Sequence, residues 1–132
     1  MRKTGLFSIG GMTGMAMAAM ALTQSGTVMA AGDPALGAKL YAQCRTCHTI
    51  TKGGPNTLGP NLSGIVGAKS AQKAGFKYSP AMMKANIVWT PQKLDAWLAK
   101  PSAVVPGSKM AFAGVSDAQK RASIIAYLAT QK

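Results

Sequence analysis

The chain has one histidine, two cysteines and three acidic residues in 132. Each scarcity excludes something. A structural zinc site takes about four nitrogen or sulfur ligands, and Cys44, Cys47 and His48 are the whole supply of soft ligands outside methionine. No second histidine exists to complete a bis-imidazole centre. No strand pattern of useful length and no internal repeat appears, which leaves an all-α domain. The acids are Asp33, Asp95 and Asp117, against fifteen Lys and Arg and a formal net charge of +12. An excess of that size bears on partners and encounter rates, not on fold.

The N-terminal stretch lacks charge between Lys3 and Asp33. Arg2 and Lys3 form a basic start, an Ala- and Met-rich apolar run follows, and Val28-Met29-Ala30 ends in the small-residue pattern of a cleavage site. That is the layout of a secretory signal peptide over residues 1–30. An uncleaved anchor is the competing reading, since a bilayer takes only about 20 apolar residues. The many Gly, Ser and Thr residues argue against it. A mature domain over residues 31–132 keeps thirteen bases against three acids, a balance of +10. The bases are spread singly along it, which speaks against a basic tail; a nucleic-acid binder would also leave the cysteines and the histidine idle.

All of those rare residues fall in one short run, "AQCRTCHTI". Export implies an oxidising compartment, where two cysteines could form a disulfide. So short a loop would restrict the unfolded chain little, and His48 would be unexplained. A thioredoxin-like dithiol expects a preceding strand, whereas the segment before Cys44 looks helical. C-x-x-C-H read as a c-type haem attachment uses all three residues. Two intervening residues set the thiols about one helical turn apart, so both can add to the porphyrin's vinyl groups, and His48 then lies under the iron.

One axial histidine leaves a sixth position. Of nine methionines, Met1, Met12, Met15, Met17, Met20 and Met29 lie in the signal stretch, leaving Met82, Met83 and Met110. Met110 lies in "VVPGSKMAFAG", where Pro106-Gly107 signals a turn. Such a loop could carry a thioether to the iron, or Met110 could simply fill core; the residues alone leave both open. Met82 and Met83 read as core or plain surface.

Asp33 is an N-cap with Pro34 at the first helical position, and Leu36, Leu40 and Tyr41 recur at helical spacing. Gly37 interrupts this helix at a usual cost of about 1 kcal/mol, which suggests a close backbone approach. Residues 51–78 form a long Gly-, Pro- and Asn-rich stretch with no period. Thr90-Pro91 opens a second helix carrying Leu94, Trp97 and Leu98 on one face, stopped by Pro101. Ser116 with Gln119 reads as a capping box for a last helix. There Ala118, Ala122, Ile125 and Ala129 line up, with Ile124, Tyr127 and Leu128 widening the apolar face.

The mature chain resembles the class I cytochromes c, small monohaem His/Met-ligated carriers of bacterial periplasms and mitochondria. The likeness runs from "DPALGAKLYAQCRTCHTI" through "GPNLSGIVG", "GFKYSPAM", "IVWTPQKLDAWLAKP" and "VPGSKMAF" to "SDAQKRASIIAYLAT". It implies an all-α small cytochrome c fold, helices and long loops wrapped round one covalent haem c. It implies Met110 as the sixth ligand opposite His48, and the Pro60 carbonyl as acceptor for the His48 ring N–H. Tyr78, Trp89 and Ser108 are the implied donors to the haem propionates. Ile124 and Tyr127 are expected to meet Gly37 and Tyr41 where the terminal helices cross, and Phe112 to pack beside the ligand loop.

Departures stand out against that likeness. The position often held by a propionate-neutralising arginine is Ala68, with Lys69 a candidate substitute. Trp97 stands where a tyrosine usually lies near the methionine sulfur, either donating to it or only packing. Gln43, Ser102 and Ala103 replace lysines that ring the haem edge in mitochondrial relatives. The function implied is a periplasmic, monomeric one-electron carrier. It would serve respiratory or photosynthetic redox partners with acidic docking patches, such as membrane cytochrome complexes, oxidases or dehydrogenases. Lys39, Lys52, Lys100 and Lys109 are the expected docking rim. The rival readings are a haem subunit or dedicated acceptor of a periplasmic dehydrogenase, and a haem peroxidase or sensor with a labile methionine ligand.

Overall fold

A computed structural model describes residues 10, 11 and 30–132. The signal-peptide reading therefore lies outside the described residues except at positions 10, 11 and 30. Among the described residues five α-helices follow in chain order: α1 (Pro34–Leu40), α2 (Pro80–Ala85), α3 (Pro91–Ala99), α4 (Pro101–Val104) and α5 (Ala118–Thr130). A 3-10 turn, Tyr41–Gln43, continues α1 toward the cysteines. Among the described residues the only β pairing is an isolated bridge, Lys69 to Val88, so the domain is all-α as expected.

The helix starts follow local chemistry. Asp33 caps α1 through a 2.8 Å bond from the Ala35 N–H, with Pro34 at the first position. Thr90 caps α3 by accepting from Lys93 N at 3.1 Å. Ser79 does the same for α2, accepting from Met82 N at 3.1 Å. Helix α2 and the single turn α4 were not among the expected elements, because each is too short to show a period. The capping box at Ser116 and Gln119 is corrected. The N-cap of α5 is Asp117, which accepts from Lys120 N at 3.0 Å, while the Gln119 amide reaches Ala31 O at 3.1 Å. A carboxylate is the stronger acceptor at a helix N-terminus.

The terminal helices α1 and α5 pack against each other, and Gly37 is what lets them. A Cβ there would run into the Ser123 carbonyl and lie 2.7 Å from the Tyr127 Cβ. Gly37 thus sits on Ser123 and Tyr127, and Ile124, 1% exposed, is buried in the same core cluster as Tyr41. Tyr41 is fully buried and tilts against Tyr127, ring centroids 5.4 Å apart. The core adds Met82, Trp89, Leu94, Trp97, Leu98, Val105, Ile125 and Leu128. Each large apolar side chain so buried contributes about 1.5–3 kcal/mol. Ala118 is exposed, so the inner line of α5 begins one turn later, at Ala122.

Arg121, half-buried on α5, ties three segments together. Its Nε donates to Asp95 of α3 at 2.7 Å, and its Nη1 donates to the carbonyls of Val115 at 2.9 Å and Ser116 at 2.8 Å. The long loop after the cysteines is held by polar side chains as well as by Ile50, Leu62, Ile65 and Val66, which pack against the core. Buried Asn61 donates to Thr49 Oγ1 at 2.8 Å and to the Thr51 carbonyl at 2.9 Å, and accepts from Ser63 N at 3.0 Å.

Candidate cofactor site

Cys44 follows the 3-10 turn that extends α1, and the helical backbone runs on: His48 N donates to the Cys44 carbonyl at 2.9 Å. One turn of helix therefore sets the two thiols and the imidazole toward one region. The loop returning from Thr57 to Pro60 closes over this turn. Thr57 Oγ1 and Gly59 N both donate to the Cys47 carbonyl, at 2.6 and 2.7 Å. His48 Nδ1 lies 2.7 Å from the Pro60 carbonyl. A carbonyl only accepts, so Nδ1 carries the proton and Nε2 keeps its lone pair. Burial holds the ring below the usual imidazole range, opposed by the Pro60 bond. The result is a neutral, oriented imidazole of the kind that ligates a metal. Gly59 lies flat on that ring, and a Cβ would strike it, 2.6 Å from Nδ1.

Met110 arrives from far along the chain. Val105 to Ser108 is a turn, with Ser108 N donating to the Val105 carbonyl at 3.1 Å. Pro106 holds its second position and Gly107, at φ +84°, its third, the arrangement of a type II turn. Val115 N donates to Leu98 O at 2.7 Å, which returns the loop to α3.

His48, Met110, Cys44 and Cys47 all line one cavity of about 880 Å³, at the upper end of the roughly 300–1,000 Å³ of ligand pockets. Its walls include Leu62, Ile65, Leu94, Leu98 and Leu128, and Tyr78, Trp89 and Ser108 border it too. Two thiols one turn apart, one oriented imidazole, one thioether and an apolar chamber fit a covalently held, flat, axially ligated porphyrin. As a free thiol, Cys44 is pushed up to about 11 by burial and then by Cys47, so it is neutral until it forms a thioether.

Trp97 lines the cavity and meets Trp89 edge-on, ring centroids 5.2 Å apart. Tyr78 packs against Phe76 at 4.8 Å, its phenol pushed up by burial against the pull of a bond from Lys73 N. Phe112 and Gln43 also line the cavity. Of Lys39, Lys52, Lys100 and Lys109, only Lys109 borders it; the other three are exposed elsewhere. Lys69, Lys73 and Lys77 border it as well. Lys73 and Lys77 went unnoticed in the sequence because the stretch holding them has no period to orient a side chain.

A family model described as Cytochrome c matches residues 34–132. The chain is similar to a cytochrome c2 of Rhodomicrobium vannielii, 42% identical over 117 residues, spanning 89% of this chain and 94% of that one. It is 48% identical over 102 residues to a cytochrome c2 of Rhodopila globiformis, covering 76% and 95% of the two chains. Among solved structures, cytochrome cH from Methylobacterium extorquens superposes with a TM-score of 0.72 at 44% identity, covering 75% of this chain and 99% of that one.

Proposed function

The chain belongs to the cytochrome c family and carries one covalently bound haem c, and from that premise we propose that it is a soluble, monomeric, periplasmic one-electron carrier. Cys44 and Cys47 hold the haem through thioethers, and His48 and Met110 ligate the iron. The observation that carries this reading is the convergence of His48 and Met110, sixty-two positions apart, on the same apolar cavity that Cys44 and Cys47 border. Bound there, the haem supplies reversible one-electron chemistry between ferric and ferrous iron.

The chain's own residues set the terms. His48 is held neutral and oriented by Pro60, and a thioether from Met110 favours the ferrous state and raises the potential. With His48 and Met110 both engaged, a bound haem iron would offer no position to a substrate, which separates a carrier from a peroxidase or sensor. Tyr78, Trp89 and Ser108 donate to the propionates. Residues 1–30 act as a cleaved export signal; among the described residues no helix is long and apolar enough to cross a membrane. A strongly basic carrier meets redox proteins with acidic docking patches quickly, at rates that fall with salt.

Intact mass and visible spectrum of the exported protein test this together. The expected result is a chain starting at Ala31 plus one haem, a thioether-to-ferric band near the red end of the spectrum, and no CO binding when reduced. Met110→Ala is expected to abolish that band, admit CO and lower the midpoint. A colourless wild-type protein, rapid CO binding by it, or a Met110→Ala variant with the parental midpoint would overturn the reading.

A further inference from the structure

We infer that Lys73 supplies the cation that neutralises a haem propionate in this chain, at the place Ala68 leaves uncharged. The inference rests on the haem reading above.

Lys73 is half-buried and borders the cavity. Its Nζ donates to the Ser63 carbonyl at 2.5 Å and reaches Asn61 Oδ1 at 3.5 Å. Both partners are neutral. Taking an ammonium out of water is costly without an anion, yet no carboxylate of the chain serves it. Asp33 caps α1, Asp117 caps α5 and Asp95 pairs with Arg121. Those three are all the acidic side chains there are. An ammonium has three protons, so one remains for a further acceptor.

The backbone of the same residue sets up its neighbour. Lys73 N donates to the Tyr78 hydroxyl oxygen at 3.2 Å. With that lone pair engaged, the phenolic proton is free to donate to an anion, and Tyr78 borders the cavity as well. Trp89 and Ala68 are joined by a 2.8 Å bond from Trp89 N to the Ala68 carbonyl, and both residues border the cavity. Two donors and an ammonium without an acidic partner, all from residues that border one cavity, suit a carboxylate. Lys69, the candidate the sequence offered, also borders the cavity, but its side chain is exposed on the strand-like bridge to Val88. An exposed ammonium can stay hydrated and has less need of a partner.

The test is the midpoint potential of the holoprotein. A cation beside a propionate favours the ferrous state, which carries one more negative charge. Lys73→Gln is expected to lower the midpoint, so that the reduced-to-oxidised ratio at a fixed poise falls severalfold, and to do so at both low and high salt. Lys73→Arg is expected to restore it. Lys69→Gln is expected to move it little, and only at low salt. If Lys73→Gln does not mature, Lys73→Met keeps the stem and is read the same way. A parental midpoint in the haem-loaded Lys73 variants, or the fall appearing in Lys69→Gln instead, overturns this inference alone. A wild-type chain without covalent haem overturns the haem reading and this with it.

Discussion

Gly59 lies against the imidazole of His48, whose Nδ1 is 2.7 Å from the carbonyl of the next residue, Pro60. Adjacent residues thus perform two tasks: one accepts the ring proton and the other has no side chain to push the ring away. The state of Nε2 is defined by what Nδ1 does: with the proton on Nδ1, Nε2 keeps its lone pair.

Gly59→Ala is therefore expected to cost about 1–3 kcal/mol, the usual size of overpacking, and to speed solvent exchange of the His48 Nδ1 proton. Denaturant melts and NMR exchange measure both. Unchanged stability with an unchanged exchange rate would contradict the close approach.

Gly37→Ala is expected to destabilise by about 1–3 kcal/mol or more. The obstacle is the Ser123 main-chain carbonyl, so trimming that side chain cannot relieve it. Adding Ser123→Ala should bring a further loss, because Ser123 Oγ accepts from Asp33 N at 3.1 Å. Recovery in the double variant would show that the side chain, not the backbone, sets the limit.

Tyr41 donates its hydroxyl proton to the His48 carbonyl at 3.3 Å, fully buried. Its phenol is pushed up from 10.0 to about 12, first by burial, then by Cys44 and Tyr127. Once Cys44 is a thioether its share disappears and burial carries the shift. Below pH 10 the phenol is neutral in both states and its contribution is complete. Above that the unfolded chain loses the proton first, so stability falls as pH rises toward about 12. Tyr41→Phe should cost about 0.5–1.5 kcal/mol near neutrality and flatten the alkaline loss. Denaturant melts from neutrality to strongly alkaline pH give the slope; equal slopes in the two proteins would refute the assignment.

Arg121→Gln should destabilise more than Asp95→Asn. The arginine substitution strands the carbonyls of Val115 and Ser116 as well as the aspartate, costing about 1–3 kcal/mol. The aspartate substitution removes only a partly exposed ion pair, about 0.2–1 kcal/mol. Chemical denaturation ranks them, and the reverse order would mean that the ion pair, not the carbonyl bonds, holds that corner.

What the sequence by itself determined is what neighbours along the chain decide. The spacing of Cys44, Cys47 and His48 specifies haem attachment because one helical turn sets the ligand geometry. Asp33-Pro34 and Thr90-Pro91 start helices because a cap and a proline act within three residues. Pro106-Gly107 makes its turn by the same short-range rule. Tertiary structure decided the rest. Asp117 rather than Ser116 caps α5, because the chain's direction into that helix decides which side chain reaches its first N–H groups. That the Ser123 main-chain carbonyl lies against Gly37 was set by the crossing of α1 and α5, which depends on both helices at once. Helix α2 and Lys73 lie in or beside a stretch with no period, where hydrogen bonds between distant segments choose the conformation. The chamber between His48 and Met110 exists only when loops far apart in sequence close on it, since cavity walls are made by packing and not by local propensity.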